Sequence, residues 1–232
     1  TGEATVLPAA PISGQSPIAI IGATSRGVCA VTSANGGGGS GVSTSGAFWN
    51  GSAWVQTVSL GPGGGGPLVE FGGRTYGPRA LASYLGSVNN GGVQDIDNMF
   101  STTLPVATAV GGCGSLCLHD GGLAVGGTFV DIGGVPARSV ALYRQVGGWR
   151  MLGTGISTDR VVAISSFGSD RYAIGSRENS YNYERSIWKL ESGIPRLISA
   201  PSSGVLAILA APEGLLASFD GAITTTTTPV RP

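Results

Sequence analysis

Few side chains in this chain of 232 residues could carry chemistry, and their spacing limits what each could do. The only histidine, His119, is followed by Asp120, the one neighbouring His–acid pair. Adjacent residues on a strand point to opposite faces, so there the pair cannot act as a base and its orienting carboxylate. Gly121 and Gly122 follow, and a turn is the simpler reading. Asp95 and Asp97, with Asn98 and the earlier Asn89-Asn90, have the oxygen ligands that Ca²⁺ prefers. A solvated stretch entering a strand is the preferred alternative. The glycine-rich segments 36–41 and 61–66 lack the Lys-Ser/Thr ending of a phosphate-binding loop, and no helix is expected after them.

Three cysteines remain. Cys29 lies in the apolar run Val28-Cys29-Ala30-Val31 and reads as a buried thiol. Cys113 and Cys117 would stand about 13 Å apart on an extended strand. A disulfide between them therefore requires a turn, which Gly114 and Ser115 would allow, and a loop staple and two free thiols both stay open. One histidine and two nearby cysteines are too few to hold zinc. No catalytic set and no cofactor site is expected.

The stretch Arg177-Glu178-Asn179-Ser180-Tyr181-Asn182-Tyr183-Glu184-Arg185 has a different character. Tyr, Arg and Asn are large, hydrogen-bonding residues that contact surfaces favour. Arg177, Asn179, Tyr181, Tyr183 and Arg185 are thus candidates to meet a partner, either a glycan or a surface receptor. The alternative is a solvated loop.

The elements that must position these residues are short strands. Apolar runs open successive units at Ile18–Ile21, Leu68–Phe71, Leu116–Leu118, Val161–Ile164 and Leu206–Leu209. A turn and a second short run follow each of them. A further strand pair is clearest at Phe48-Trp49, Asn50-Gly51-Ser52 and Trp54–Val58. It recurs at Leu142-Tyr143 with Trp149–Leu152, at Ile187-Trp188 with Pro195–Ile198, and more loosely at Met99-Phe100 with Pro105–Thr108. The repeat is about 45–48 residues and four strands long, the pattern of a propeller blade.

The fold expected is therefore all-β: a single β-propeller domain over 1–232. Its four-stranded blades fall at 17–65, 66–112, 113–158 and 159–204, with a fifth at 205–232 plus 1–10. The orphan strand Ala4–Pro8, with Thr5, Val6 and Leu7, would complete the last blade, in its own chain or in a neighbour's. Thr225 and Thr227 in the Thr-rich run Thr224–Thr228 would form the docking edge.

Residues Gly121–Ala137, Val140–Tyr143 and Gly148–Gly155 together resemble the kelch-like repeat of galactose-oxidase-type central domains, which occur in extracellular propeller proteins. The likeness covers 121–155 and, in part, 46–58. It implies a propeller fold and no particular activity. Copper chemistry of the galactose-oxidase kind would need several His and Tyr ligands, and one histidine is too few. Glycoside hydrolysis would need at least two carboxylates on the channel-lining first strands, where Glu70 is the only acid.

Composition narrows the partners. Thirteen basic and thirteen acidic residues cancel, which argues against nucleic acid. No apolar run is long enough for a membrane helix. The start at Thr1 rather than Met fits a removed leader or a cut boundary. Low charge and a single lysine, Lys189, fit an extracellular, cell-surface or particle-surface setting. Of two functional classes, a structural, self-assembling subunit of an appendage, filament or particle is preferred over a lectin-like module. The preferred partner is then another copy, held through the terminal strands.

Overall fold

The computed structural model describes residues 19–25, 27–34, 43–62, 67–79, 92–95, 112–156, 158–179, 182–191, 193–199, 205–212, 214–219 and 222–226. Among these, the regular elements are all strands, and all their pairings are antiparallel. The first sheet runs β1 (Ala19–Thr24), β2 (Gly27–Ala34), β3 (Ser43–Trp49) and β4 (Trp54–Pro62). The second holds β5 (Val69–Phe71), β6 (Arg74–Arg79) and β7 (Gly92–Asp95). The third begins with β8 (Cys113–His119) and β9 (Gly122–Gly127). A two-stranded ribbon of β10 (Asp131–Ile132) and β11 (Val135–Pro136) intervenes before β12 (Val140–Arg144) and β13 (Gly148–Met151) complete that sheet. The fourth is β14 (Arg160–Phe167), β15 (Asp170–Asn179), β16 (Asn182–Lys189) and β17 (Arg196–Ser199). The fifth is β18 (Val205–Ala211), β19 (Gly214–Phe219) and β20 (Ala222–Thr226).

Turn chemistry explains the short hairpins. Asn50 Oδ1 accepts hydrogen bonds from the Ser52 and Ala53 amides, closing the turn between β3 and β4. Between β8 and β9, Asp120 and Gly121 both take positive φ, at 46° and 65°. That pairing defines the mirror-image turn whose twist matches the strands on either side.

Successive sheets pack through their first strands: β1 touches β5, β5 touches β8, β8 touches β14, and β14 touches β18. Four of these first strands share an irregularity. One extra residue interrupts the register at Ile21, Gly114, Val162 and Leu206. Such a bulge bends the strand and switches which side chains face a given neighbour.

The core lies between the sheets. On β12, Ala141 and Tyr143 enter a cluster shared with the second sheet, while Val140 and Leu142 enter one shared with the fourth. Strand alternation and two buried faces require this reading of Val140-Ala141-Leu142-Tyr143. Burying a side chain such as Leu142 contributes about 1.5–3 kcal/mol. A third cluster, around Tyr172, Ile174, Ile187 and Leu215, joins the fourth and fifth sheets. The connection from β9 to β12 is pinned as well: Phe129 is fully buried, and its carbonyl accepts the Ser139 amide at 2.9 Å.

Some expectations need correction here. Cys113 and Cys117 lie along one extended strand, β8, and the turn that a bridge would need is absent; both are free thiols. The described part of the stretch 177–185, residues 177–179 and 182–185, is strand and not loop. Arg177 pairs with Glu184, Glu178 with Tyr183 and Asn179 with Asn182, so the long hairpin of β15 and β16 carries it. The expected strands at 4–8, 99–100 and 105–108 lie outside the described residues, as do Thr5, Val6, Leu7, Tyr181 and Thr227.

Candidate functional site

The turns joining first to second strands in the second, third and fourth sheets converge on a cavity of about 470 Å³. Glu70 and Phe71, His119 and Asp120, and Ser166 and Phe167 line it. These are the ends of β5, β8 and β14, brought together because neighbouring sheets pack through those strands.

Hydrogen bonds cross from sheet to sheet along these first strands. Glu70 accepts the Ser25 amide at 2.6 Å on Oε2 and the Ser25 hydroxyl at 3.0 Å on Oε1. Ser115 Oγ accepts the Ile164 amide at 2.9 Å, and Ser165 Oγ accepts the Ala210 amide at 3.0 Å. The Ser166 hydroxyl donates to the Leu118 carbonyl. Small hydroxyl side chains thus satisfy backbone groups that short sheets leave unpaired.

His119 occupies the last position of β8, and Asp120 starts the turn that follows, so the two diverge. Desolvation holds the imidazole below its usual 6.5, and the nearby Arg171 guanidinium lowers it further. Asp120 opposes this in part, while Arg144 and Arg150 add to it. The imidazole is therefore neutral at pH 7. The Asp120 carboxylate is bound to Arg144.

The other acids also hold structural partners. Asp95, almost fully buried at the end of β7, accepts Arg74 Nη1 at 2.8 Å. Its proposed companions Asp97, Asn98, Asn89 and Asn90 lie outside the described residues. Asp170 binds Lys189 Nζ at 2.7 Å, and that ammonium lies 5.8 Å from the centre of the Tyr172 ring.

The five residues expected to meet a partner do not act as one group. Arg185 is turned inward to the chain itself, Nη1 donating to the Val205 carbonyl at 2.6 Å and tying β16 to β18. Arg177 is exposed and lines a second cavity, of about 400 Å³, with Arg138, Thr158 and Asp159. Asn179 and Tyr183 sit on the two strands of the hairpin near its tip. Thr225 stands opposite Leu216 on β20, the outermost described strand of the fifth sheet.

Burial makes the thiols inert. Desolvation pushes Cys113 up to about 12, and Cys29 and Cys117 to about 11. Thiolate is then scarce at neutral pH, and these cysteines pack as small apolar groups. Among the described residues, no three His, Cys, Asp or Glu side chains are grouped to hold a metal ion. No described helix is long and apolar enough to cross a membrane.

Sequence reasoning missed the first-strand bulges and the arginines gathered around His119. The bulges leave no mark in runs such as Val161-Val162-Ala163-Ile164, which are apolar at every position. The arginines come from three different strands, and only their register brings them together.

Comparison with protein-family models gives no match to this chain, and comparison with curated proteins gives no relative.

Proposed function

We propose that the five sheets are the blades of one propeller and that the protein is a non-enzymatic, self-assembling subunit of an extracellular or surface structure. The observation that carries this reading is the packing of each sheet on the next through first strands. The first, third and fourth sheets each have four described strands, and the second and fifth each have three. In this reading the β-prone segment Ala4–Pro8 of a neighbouring copy adds a strand beside the Thr-rich edge at β20. Such a contact is heterologous, so it propagates from copy to copy. It also covers a sheet edge that would otherwise be open to unspecific pairing.

The carboxylates support a structural role. Glu70 holds Ser25, and Asp95, Asp120 and Asp170 each hold a cation. Kelch-like patterning over 121–155 is consistent with the propeller and leaves the activity open.

Deleting residues 1–10 tests the reading. Light scattering after size exclusion is expected to show loss of polymers, with circular dichroism still reporting a folded β-protein. Unchanged assembly in the truncated chain would contradict it.

A further inference from the structure

The turn between β3 and β4 sets an electrophile beside a nucleophile. Asn50 precedes Gly51 there, and every residue from 50 to 53 is exposed. Asn50 Oδ1 accepts three hydrogen bonds at 3.0 Å, from the Ser52 amide, the Ser52 hydroxyl and the Ala53 amide. Three donors on one carbonyl oxygen draw electrons from Cγ. They are also already in place for a negative charge that forms on that oxygen.

The group that attacks Cγ is the next one along the chain. Among the described residues no hydrogen bond holds the Gly51 amide, so its nitrogen is free to lose a proton and turn toward Asn50. Glycine puts no side chain beside that nitrogen, and a Cβ built there would have nothing within 4 Å. The turn itself demands glycine, since Gly51 takes a φ of 101°. The other described asparagines differ on both counts. Asn179 and Asn182 lie on the paired strands β15 and β16, and Ser180 and Tyr183 follow them.

We propose that Asn50 is a self-modification site, where the chain converts its own side-chain amide to a cyclic imide and then to aspartate or isoaspartate. Hydroxide removes the Gly51 amide proton, and the nitrogen forms a bond to Asn50 Cγ. The displaced electron pair of the Cγ carbonyl moves to Oδ1, where the three donors hold it. As that oxyanion collapses, the Cγ–Nδ2 bond breaks. Nδ2 takes a proton from water and leaves as ammonia, which returns the hydroxide.

Water then opens the imide in one of two ways. Attack at Cγ restores the ordinary main chain and leaves a side-chain carboxylate, which still accepts the three hydrogen bonds. Attack at the main-chain carbonyl carbon routes the backbone through Cβ and Cγ, one atom longer. That product disturbs the bond from the Asn50 amide to the Ala53 carbonyl and the closing pair Trp49–Trp54. Either product adds one negative charge to a chain whose formal charges cancel. The conversion needs neither an enzyme nor a second copy of the chain.

The test is incubation of the purified full chain in buffer made with heavy-oxygen water, followed by tandem mass spectrometry. The tryptic peptide between Arg26 and Arg74 holds Asn35 and Asn50, which fragment ions separate. Asn35-Gly36 and Asn90-Gly91, both outside the described residues, serve as references within the same chain. Position 50 is expected to gain a heavy-oxygen carboxylate as a mixture of the two acids, faster as pH rises. It should react faster in the folded chain than in guanidinium chloride, which removes the placed donors.

Ser52→Ala should slow position 50 about fivefold, the worth of one hydrogen bond, and leave positions 35 and 90 unchanged. Ser52→Thr, which keeps the hydroxyl, should react as the parent chain does. An amide still intact at position 50 in the folded chain, after the denatured chain has converted, would overturn the inference. So would equal rates in the two states, or an undiminished rate in Ser52→Ala.

Discussion

The third sheet has two faces, and they are built differently. Toward the second sheet it presents rings: Tyr143 lies 5.1 Å from Trp149 and 6.1 Å from Phe71 between centres, the latter pair edge to face. Tyr76 extends the group, 6.4 Å from Phe71. Toward the fourth sheet it presents Cys117, Ala124, Val140 and Leu142, all small or aliphatic, and then the charged margin of His119, Arg144 and Arg150. The same strands supply both faces. Tyr143 and Arg144 are neighbours on β12, and Trp149 and Arg150 are neighbours on β13.

Alternation therefore separates two tasks within one sheet. The aromatic face is closed and fixes the sheet in place. The aliphatic face is closed over most of its area and ends in charged side chains, of which Arg144 is paired with Asp120. Substitutions on the two faces should consequently differ in kind as well as in size.

Trp149→Ala should have the largest effect. It removes a buried ring from the aromatic face and is expected to lower unfolding stability by about 3–5 kcal/mol, read by urea denaturation. Gly126→Ala comes next. A Cβ at that position would approach Val161 Cγ1 to 2.5 Å, across the aliphatic face. Overpacking of this kind costs about 1–3 kcal/mol, which a thermal melt would detect. The smallest stability effect belongs to the charged margin, where Arg150→Gln should change unfolding by less than about 0.5 kcal/mol. If Arg150→Gln destabilised the chain as strongly as Trp149→Ala, the contrast between the faces would fail.

The sequence showed the repeat because its carriers are local. Asn50-Gly51 between Trp49 and Trp54 marks a hairpin without any knowledge of its surroundings, and the structure places β3 and β4 there. The turn at Asp120-Gly121 was legible for the same reason. The stretch 177–185 was misleading because polar residues on an extended hairpin look like a loop when read one after another. Arg185 looked available to a partner, yet the Val205 carbonyl that engages it is 20 residues away in sequence.

The charged margin could not be read in advance. His119, Arg144, Arg150 and Arg171 have no spacing that links them, and the arginines act on His119 only because β8, β12 and β13 belong to one sheet while the fourth sheet packs across. Bulges at Gly114 and Val162 add to this, since one inserted residue switches the face on which every later side chain of the strand falls.

Electron microscopy of the purified full chain tests the central proposal most directly. Filaments whose repeating unit is a disc of five lobes around a centre are the expected result. Isolated particles with no polymer across a range of protein concentrations, or subunits with sheets stacked in an open row, would contradict it.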